Sequence, residues 1–133
     1  MKPTLYDGNV MILDKIGYRI NGLSRFDIVV FKYEKDKLIK RVIGLPGDTV
    51  EYRDNKLYIN DKLIEENYTR EDTEDFILEV IGYSVIPKDK YLVMGDNRPV
   101  SKDSRMIGLI DKKDILGYTS IVIFPFKDIK KAK

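Results

Sequence analysis

The apolar and polar positions of this chain predict many short strands separated by tight turns. The run Ile28–Phe31 is continuously apolar, as in a strand buried on both faces. The stretch Lys37–Asp48 alternates in character and ends in Leu-Pro-Gly-Asp, which predicts a strand entering a type II turn. Further strands are predicted at 9–13, 50–59 and 62–64 (two hairpins), 76–85, 91–94 and 119–124. The pattern favours a mostly β, barrel-like antiparallel sheet forming one domain over residues 1–133.

Two segments depart from the strand pattern. Glu65–Asp75 is acidic and poor in apolar residues, which predicts an exposed, mobile loop. Asp111–Leu116 is expected to form a single helical turn that ends at Gly117. No apolar run approaches the roughly 18 residues of a membrane span, and no charged-then-apolar leader opens the chain. We therefore expect any membrane anchor to lie outside this sequence.

Composition excludes several kinds of chemistry. Lys and Arg number 24 against 22 Asp and Glu, a balance that gives no argument for nucleic-acid binding. The chain has no His and no Cys, so it cannot form a Ser-His-Asp triad, a Cys-His pair or an ordinary zinc site. A hydrolase of this composition needs Lys, Asp, Glu or Tyr as its base, and no metal or cofactor is expected.

The first candidate for such a base is Lys40. On a strand it shares a face with Leu38 and Val42, while Ile39 and Arg41 point to the other side. An ammonium group on a branched apolar face loses solvation, which lowers its pKa from about 10.4 and lets it act as a general base. The alternative is a lysine that extends from an edge strand into solvent. Spacing alone leaves both open.

The second candidate is the polar segment Gly95–Arg105, which lies between apolar strands. Its Asp and Ser side chains are typical of a loop that caps backbone groups. In an extended segment, however, Asp103 and Arg105 share a face and could pair, and Ser101 could orient a nearby amine. Both interpretations, structural loop and catalytic support, remain open on the residues alone.

Taken together, these segments resemble type I signal peptidases, the membrane-anchored serine proteases that remove signal peptides from exported proteins. Four stretches match the family's motifs in order across nearly the whole chain. They are 1–5, similar to the end of Ser-Met-x-Pro-Thr-Leu; 25–31, similar to Arg-Gly-Asp-Ile-Val-Val-Phe with Phe26 for Gly; 40–48, Lys-Arg-Val-Ile-Gly-Leu-Pro-Gly-Asp; and 95–105, similar to Gly-Asp-Asn-Arg-x-x-Ser-x-Asp-Ser-Arg.

The resemblance implies a Ser-Lys mechanism in which neutral Lys40 takes a proton from a serine hydroxyl that attacks the peptide carbonyl. It also implies that Ser101 orients the lysine amine, with support from Arg41, Asp103 and Arg105. The family cleaves after an Ala-x-Ala pattern, and shallow substrate pockets are expected from five residues of this chain. These are Met1, Leu5, Val30, Leu38 and Ile39.

The nucleophilic serine of the family is expected immediately before Met1, so this sequence as written lacks it. We expect a catalytic domain separated from its serine and N-terminal anchor, with a small hairpin insertion near 52–82. The resemblance implies a cell-membrane enzyme with this domain on the extracytoplasmic side, and signal peptides of exported preproteins and the membrane surface as partners. An inactive peptide-binding homologue is the alternative. Self-cleaving repressors share the dyad but lack the Gly-Asp-Asn-Arg motif.

Overall fold

The computed structural model describes residues 22–119, 121–122 and 130–131. The strand predicted at 9–13 and the substrate residues Met1 and Leu5 lie outside the described residues. Within them the chain is mostly antiparallel β with a curled half-barrel sheet, so the predicted fold class is confirmed. No helix in this described part has the length and hydropathy needed to span a membrane.

Eleven strands and one short α-helix organise the described residues. The strands are β1 (Ile28–Tyr33), β2 (Asp36–Gly44), β3 (Val50–Arg53), β4 (Lys56–Ile59), β5 (Lys62–Ile64), β6 (Phe76–Ile77), β7 (Lys90–Met94), β8 (Ile110–Asp111), β9 (Ile115–Thr119), β10 (Ile121–Val122) and β11 (Lys130–Lys131). The helix is α1 (Ser104–Ile107), and short 3-10 turns lie at Leu78–Ile81, Arg98–Val100 and Lys112–Asp114.

The larger sheet has the order β8-β7-β2-β1-β9 and places the predicted base in its centre. In the register of β1 with β2, Val29 lies opposite Lys40. In the register of β2 with β7, Met94 lies opposite Arg41, so the next residue of the chain, Gly95, comes beside Lys40. The sheet thereby brings together the start of the polar segment and the lysine.

The smaller sheet has the order β5-β4-β3-β6 and overlaps the predicted hairpin insertion. The two hairpins are confirmed: Asp54 and Asn55 turn the first, and Asn60 and Asp61 turn the second. All four residues have positive φ, between 52° and 66°, as two-residue type I′ hairpin turns require. Asx residues at these positions tolerate that conformation better than other side chains, so the turn chemistry explains the register.

Two apolar clusters pack on opposite faces of β2. One contains Val42 with Val29 and Phe31 of β1. The other contains Ile43 and joins the two sheets, because it also takes side chains from β3, β4 and β6. The alternation predicted for β2 is therefore observed, and Lys40 lies on the Val42 face.

Three local predictions were wrong in whole or in part. Glu65–Asp75 has no regular structure, but Thr73 is buried and several of its neighbours pack into the fold. Only Phe76–Ile77 of the strand predicted at 76–85 forms, and a 3-10 turn follows. The helical turn at Lys112–Asp114 exists, but Gly117 continues into β9, because pairing with β1 outweighs the local turn preference of glycine.

Candidate active site

Lys40 and Ser101, 61 residues apart in the chain, meet beside Gly95. The Lys40 amine donates a hydrogen bond of 3.0 Å to the Ser101 hydroxyl oxygen. A Cβ built on Gly95 would lie 2.1 Å from that oxygen and 3.4 Å from the Lys40 nitrogen. The absence of a side chain at position 95 therefore permits the close approach of the two polar groups.

Burial lowers the pKa of the Lys40 amine below its ordinary value, in agreement with the prediction from its strand face. The Asp103 carboxylate opposes this shift and the Arg105 guanidinium adds to it. Because burial dominates, the amine loses its proton more easily than a free lysine. This is the property that a general base needs.

Asp103 supports the same site from a fully buried position. Its carboxylate accepts hydrogen bonds from the Gly95 amide at 3.0 Å and from Arg105 Nε at 2.9 Å and Nη2 at 2.8 Å. Burial opposes ionisation, but these bonds and one from the Ser101 hydroxyl hold the pKa of Asp103 below its usual value. Asp103 also caps α1 through the Arg105 amide, so the segment does cap backbone groups. Its catalytic support of the lysine remains a prediction.

Arg41, next to Lys40, pairs with an acidic residue at the start of the polar segment. It makes a bidentate pair with Asp96 at 3.1 and 2.9 Å, and both side chains are completely buried. It also donates to the carbonyl of Phe26 at 2.9 Å. Phe26 has φ 77°, the left-handed region that favours glycine, which accounts for Gly at this place in the motif.

A buried polar cluster that the sequence did not reveal lies behind the Gly95–Arg105 segment. The Arg98 guanidinium donates to Gly95 O at 2.7 Å and to the hydroxyls of Tyr52 and Tyr68, both at 2.8 Å. Glu66, from the segment predicted as an exposed loop, accepts from both tyrosine hydroxyls. The aromatic residue at position 68, amid polar neighbours, was the only local signal of burial there.

The predicted substrate-binding residues that the structure describes flank Lys40 on both sides of the sheet. Leu38 shares its face, whereas Ile39 and its cross-strand neighbour Val30 point to the other face. All three are half-buried. An extended peptide also alternates its side chains, so both faces can line its subsites. Their binding role remains a prediction.

A cleft of about 730 Å³ reaches Ser101 and is also lined by Pro99 and Met106. Among the residues that the structure describes, no group of acidic side chains is arranged to hold a metal ion. The arrangement supplies a half-buried amine with a lowered pKa, a hydroxyl hydrogen-bonded to it, and the ion pair of Asp103 with Arg105. These parts are suited to proton transfer.

Comparison with known proteins shows the family of this chain. Residues 1–124 match the family described as signal peptidase, peptidase S26. Signal peptidase IB of Staphylococcus aureus strain Mu50 is 43% identical over 145 aligned residues, covering 98% of this chain and 76% of that protein. Signal peptidase I V of Bacillus subtilis strain 168 is 45% identical, covering 90% of this chain and 78% of that protein.

A solved signal peptidase structure has a similar fold. The crystal structure of a signal peptidase I from Enterococcus faecalis V583 superposes with a TM-score of 0.66 at 39% identity, covering 72% of this chain and 95% of that one. With the family match and these relatives, the chain belongs to the signal peptidase family, peptidase S26.

Proposed function

We propose that this chain is the catalytic domain of a type I signal peptidase that cleaves by a Ser-Lys dyad and removes signal peptides from exported proteins. The observation that carries the proposal is the 3.0 Å bond from Lys40 to Ser101, made by an amine whose burial lowers its pKa. Membership of the peptidase S26 family supports it. The domain spans residues 1–133, and the nucleophilic serine immediately precedes Met1.

The proposed reaction has two steps that share one base. The serine oxygen attacks the scissile carbonyl while neutral Lys40 takes the hydroxyl proton; the C–N bond then breaks, and the lysine returns that proton to the leaving amine. A water molecule next gives a proton to Lys40 and attacks the acyl carbon. The ester C–O bond then breaks, the lysine gives that proton to the serine oxygen, and the peptide leaves as a carboxylic acid that ionises in water. Each proton taken by Lys40 is returned, so the lysine is unchanged after a cycle.

Ser101 fixes the direction in which the lysine lone pair points. A neutral amine has two hydrogens and one lone pair, so donating one hydrogen to the Ser101 oxygen restricts the orientation of the lone pair. Asp103 and Arg105 hold this hydroxyl's segment in place through their ion pair of 2.8 Å. Orientation of this kind is a large part of what an enzyme contributes to proton transfer.

The substrate is an extended peptide with small residues in an Ala-x-Ala pattern. Within the described residues, β7 pairs with β2 only at Arg41, Val42 and Gly44, so the backbone of Leu38–Lys40 has no strand on that side. An extended peptide can add to such an edge by main-chain hydrogen bonds. Its pockets are lined by Met1, Leu5, Val30, Leu38 and Ile39.

The proposed enzyme acts at the cell membrane, with this domain on the extracytoplasmic side. Its partners are the signal peptides of exported preproteins and the membrane surface, and an anchor precedes the serine. This placement follows from the activity itself, since signal peptides are removed where exported proteins leave the membrane.

A cleavage assay tests the proposal directly. The chain is extended upstream of Met1 through a serine and offered an Ala-x-Ala signal-peptide substrate, with detergent or lipid present. Cleavage should occur in the extended form and in its Lys37→Ala variant, which changes an exposed lysine on the same strand. The unextended chain and the extended Lys40→Ala variant should be inactive. Full activity of Lys40→Ala would refute the dyad, and peptide binding without cleavage by the extended form would instead indicate an inactive peptide-binding homologue.

A further inference from the structure

Tyr68 contacts both elements that carry the Lys40–Ser101 pair, although it belongs to neither. The Arg41 guanidinium lies 4.0 Å from the centre of its ring. Its hydroxyl accepts a hydrogen bond of 2.8 Å from Arg98 Nη2 and donates to Glu66. Tyr68 therefore connects β2 to the Gly95–Arg105 segment through one side chain.

The ring of Tyr68 contacts the residue that follows Lys40 on β2. Arg41 follows Lys40 directly on β2, and its guanidinium lies against the tyrosine ring while it pairs with Asp96. Phe26 also packs against the Tyr68 ring, with centroids 5.2 Å apart. A cation held over an aromatic face away from water is attracted to it, so the ring restricts the position of Arg41.

The hydroxyl of Tyr68 is hydrogen-bonded to Arg98, which belongs to the same segment as Ser101. Its partner Arg98 donates to the Gly95 carbonyl at 2.7 Å, and the Arg98 carbonyl accepts from Arg105 Nη2 at 2.9 Å. Arg98 thus ties the first and last residues of the segment together, and Ser101 lies between them. Gly95 itself touches Ser101 so closely that no side chain would fit.

Glu66 sets the direction of the tyrosine hydroxyl. Its carboxylate also accepts from Tyr52 at 2.8 Å and from Arg70 at 3.0 and 2.8 Å. Burial opposes its ionisation, but these hydrogen bonds keep the pKa of Glu66 below its usual value. A charged carboxylate takes the hydroxyl hydrogen of Tyr68 and leaves the oxygen lone pairs for Arg98.

We propose that Tyr68 is a positioning residue for the Lys40–Ser101 pair, because its ring holds Arg41 while its hydroxyl holds Arg98. The segment Glu65–Asp75 is then a brace that joins the hairpin sheet to the catalytic segment. The catalytic consequence rests on the proposed function, whereas the effect on the geometry around Lys40 does not.

The test compares Tyr68 with a tyrosine in a similar contact elsewhere. Tyr58 on β4 lies 4.2 Å beneath the Arg53 guanidinium, and the Arg53 side chain is 53% exposed. The variants Tyr68→Phe and Tyr68→Leu are therefore matched with Tyr58→Phe and Tyr58→Leu. Thermal unfolding establishes that each variant is folded at the assay temperature.

Two measurements follow on these variants. In the serine-extended form, kcat should fall about tenfold for Tyr68→Phe and about 100-fold for Tyr68→Leu, since small displacements of reacting groups have effects of this size. KM should change by less than about twofold, because no substrate contact is lost. In the chain as given, NMR titration of the Lys40 side chain should show its pKa rising toward 10.5 in Tyr68→Leu, as the loosened site admits water.

The proposal is overturned if folded Tyr68→Leu matches Tyr58→Leu in kcat and in Lys40 titration, even with reduced thermal stability, since Tyr68 would then be purely structural. If Tyr68→Leu does not fold, Tyr68→Phe decides by the same two criteria. If the unmodified serine-extended form fails to cleave, the proposed function fails, and the titration of Lys40 alone still decides whether Tyr68 positions it.

Discussion

Replacing Gly95 by alanine should separate Lys40 from Ser101 without removing either residue. The added Cβ would lie 2.1 Å from Ser101 Oγ and 2.8 Å from Ser101 Cβ. An ordinary contact of a carbon atom is about 3.5 Å, so the oxygen must move by about 1.4 Å. Rotating the hydroxyl away does not suffice, because the Cβ contact remains and the rotation itself breaks the bond to Lys40. Whether Ser101 shifts or its hydroxyl rotates, the 3.0 Å bond to Lys40 is taken out of hydrogen-bond range.

The expected result is a loss of activity much larger than the loss of stability. Overpacking of this kind costs about 1–3 kcal/mol in the free energy of unfolding. A misplacement of about 1 Å in a group that orients the catalytic base costs about 100-fold in rate, so we expect kcat of the serine-extended form to fall by that factor. The assay is steady-state cleavage of an Ala-x-Ala substrate, with urea unfolding measured on the same preparation.

Gly44→Ala is the matched control. Its Cβ would lie 2.4 Å from Ile86 Cδ1 and 2.8 Å from Val50 Cγ2, so it overpacks the apolar cluster between the sheets instead of the Lys40–Ser101 pair. It should lose similar stability yet retain kcat per folded molecule. The reasoning is refuted if Gly95→Ala keeps its kcat, or if both glycine variants lose activity in proportion to their stability.

Three further predictions concern charge. Because burial lowers the pKa of Lys40 and the base must be neutral, kcat/KM of the serine-extended form should rise as pH increases through the folded-state pKa, which lies below 10.5. Asp96→Asn should lower the free energy of unfolding, measured in urea, by about 3–5 kcal/mol, because buried Arg41 loses its carboxylate partner. Glu51→Gln, at an exposed ion pair, should lower it by about 1 kcal/mol or less. The lowered pKa of Asp103 stabilises the fold above pH 3.8, and this stability is lost as pH falls through the folded-state pKa; Asp103→Asn should weaken that acid dependence of thermal unfolding.

Each of these three predictions would be contradicted by a specific measurement. A pH profile that rises only at the pKa of a free lysine would mean that Lys40 is not desolvated as a base. Equal stability losses for Asp96→Asn and Glu51→Gln would mean that burial of an ion pair does not determine the cost of losing its carboxylate. An Asp103→Asn variant with the same acid dependence as the parent would assign that dependence to other carboxylates.

The strands and turns near Lys40 were predictable because they depend on local patterns. Alternation with period two put Lys40 on the same face as Val42, and burial of that face explains the direction of its pKa shift. The two-residue turns at 54–55 and 60–61 followed from Asx residues that tolerate positive φ. Each of these signals lies within a few residues of the structure it predicts.

The contacts of Glu65–Asp75 with the rest of the fold were not predictable because they depend on distant partners. An acidic segment ordinarily stays in water, since an unpaired buried carboxylate is costly. The Glu66 side chain is only 8% exposed. This is because Tyr52, 14 residues before it, and Arg98, 32 residues after it, converge on it together with Arg70. No local pattern reports such convergence, and the same holds for the distance between Lys40 and Ser101.

The apolar cluster between the two sheets has a consequence for how the protein unfolds. Ile43, Leu92 and Met94 of the larger sheet are fully buried against Tyr52 and Leu57 of the smaller one. Opening the hairpins alone would expose that face of the larger sheet to water, at about 25 cal/mol for each Å² of apolar surface. The two sheets should therefore open as one cooperative unit, so that amide hydrogens in β2 and β3 exchange with solvent through the same global transition.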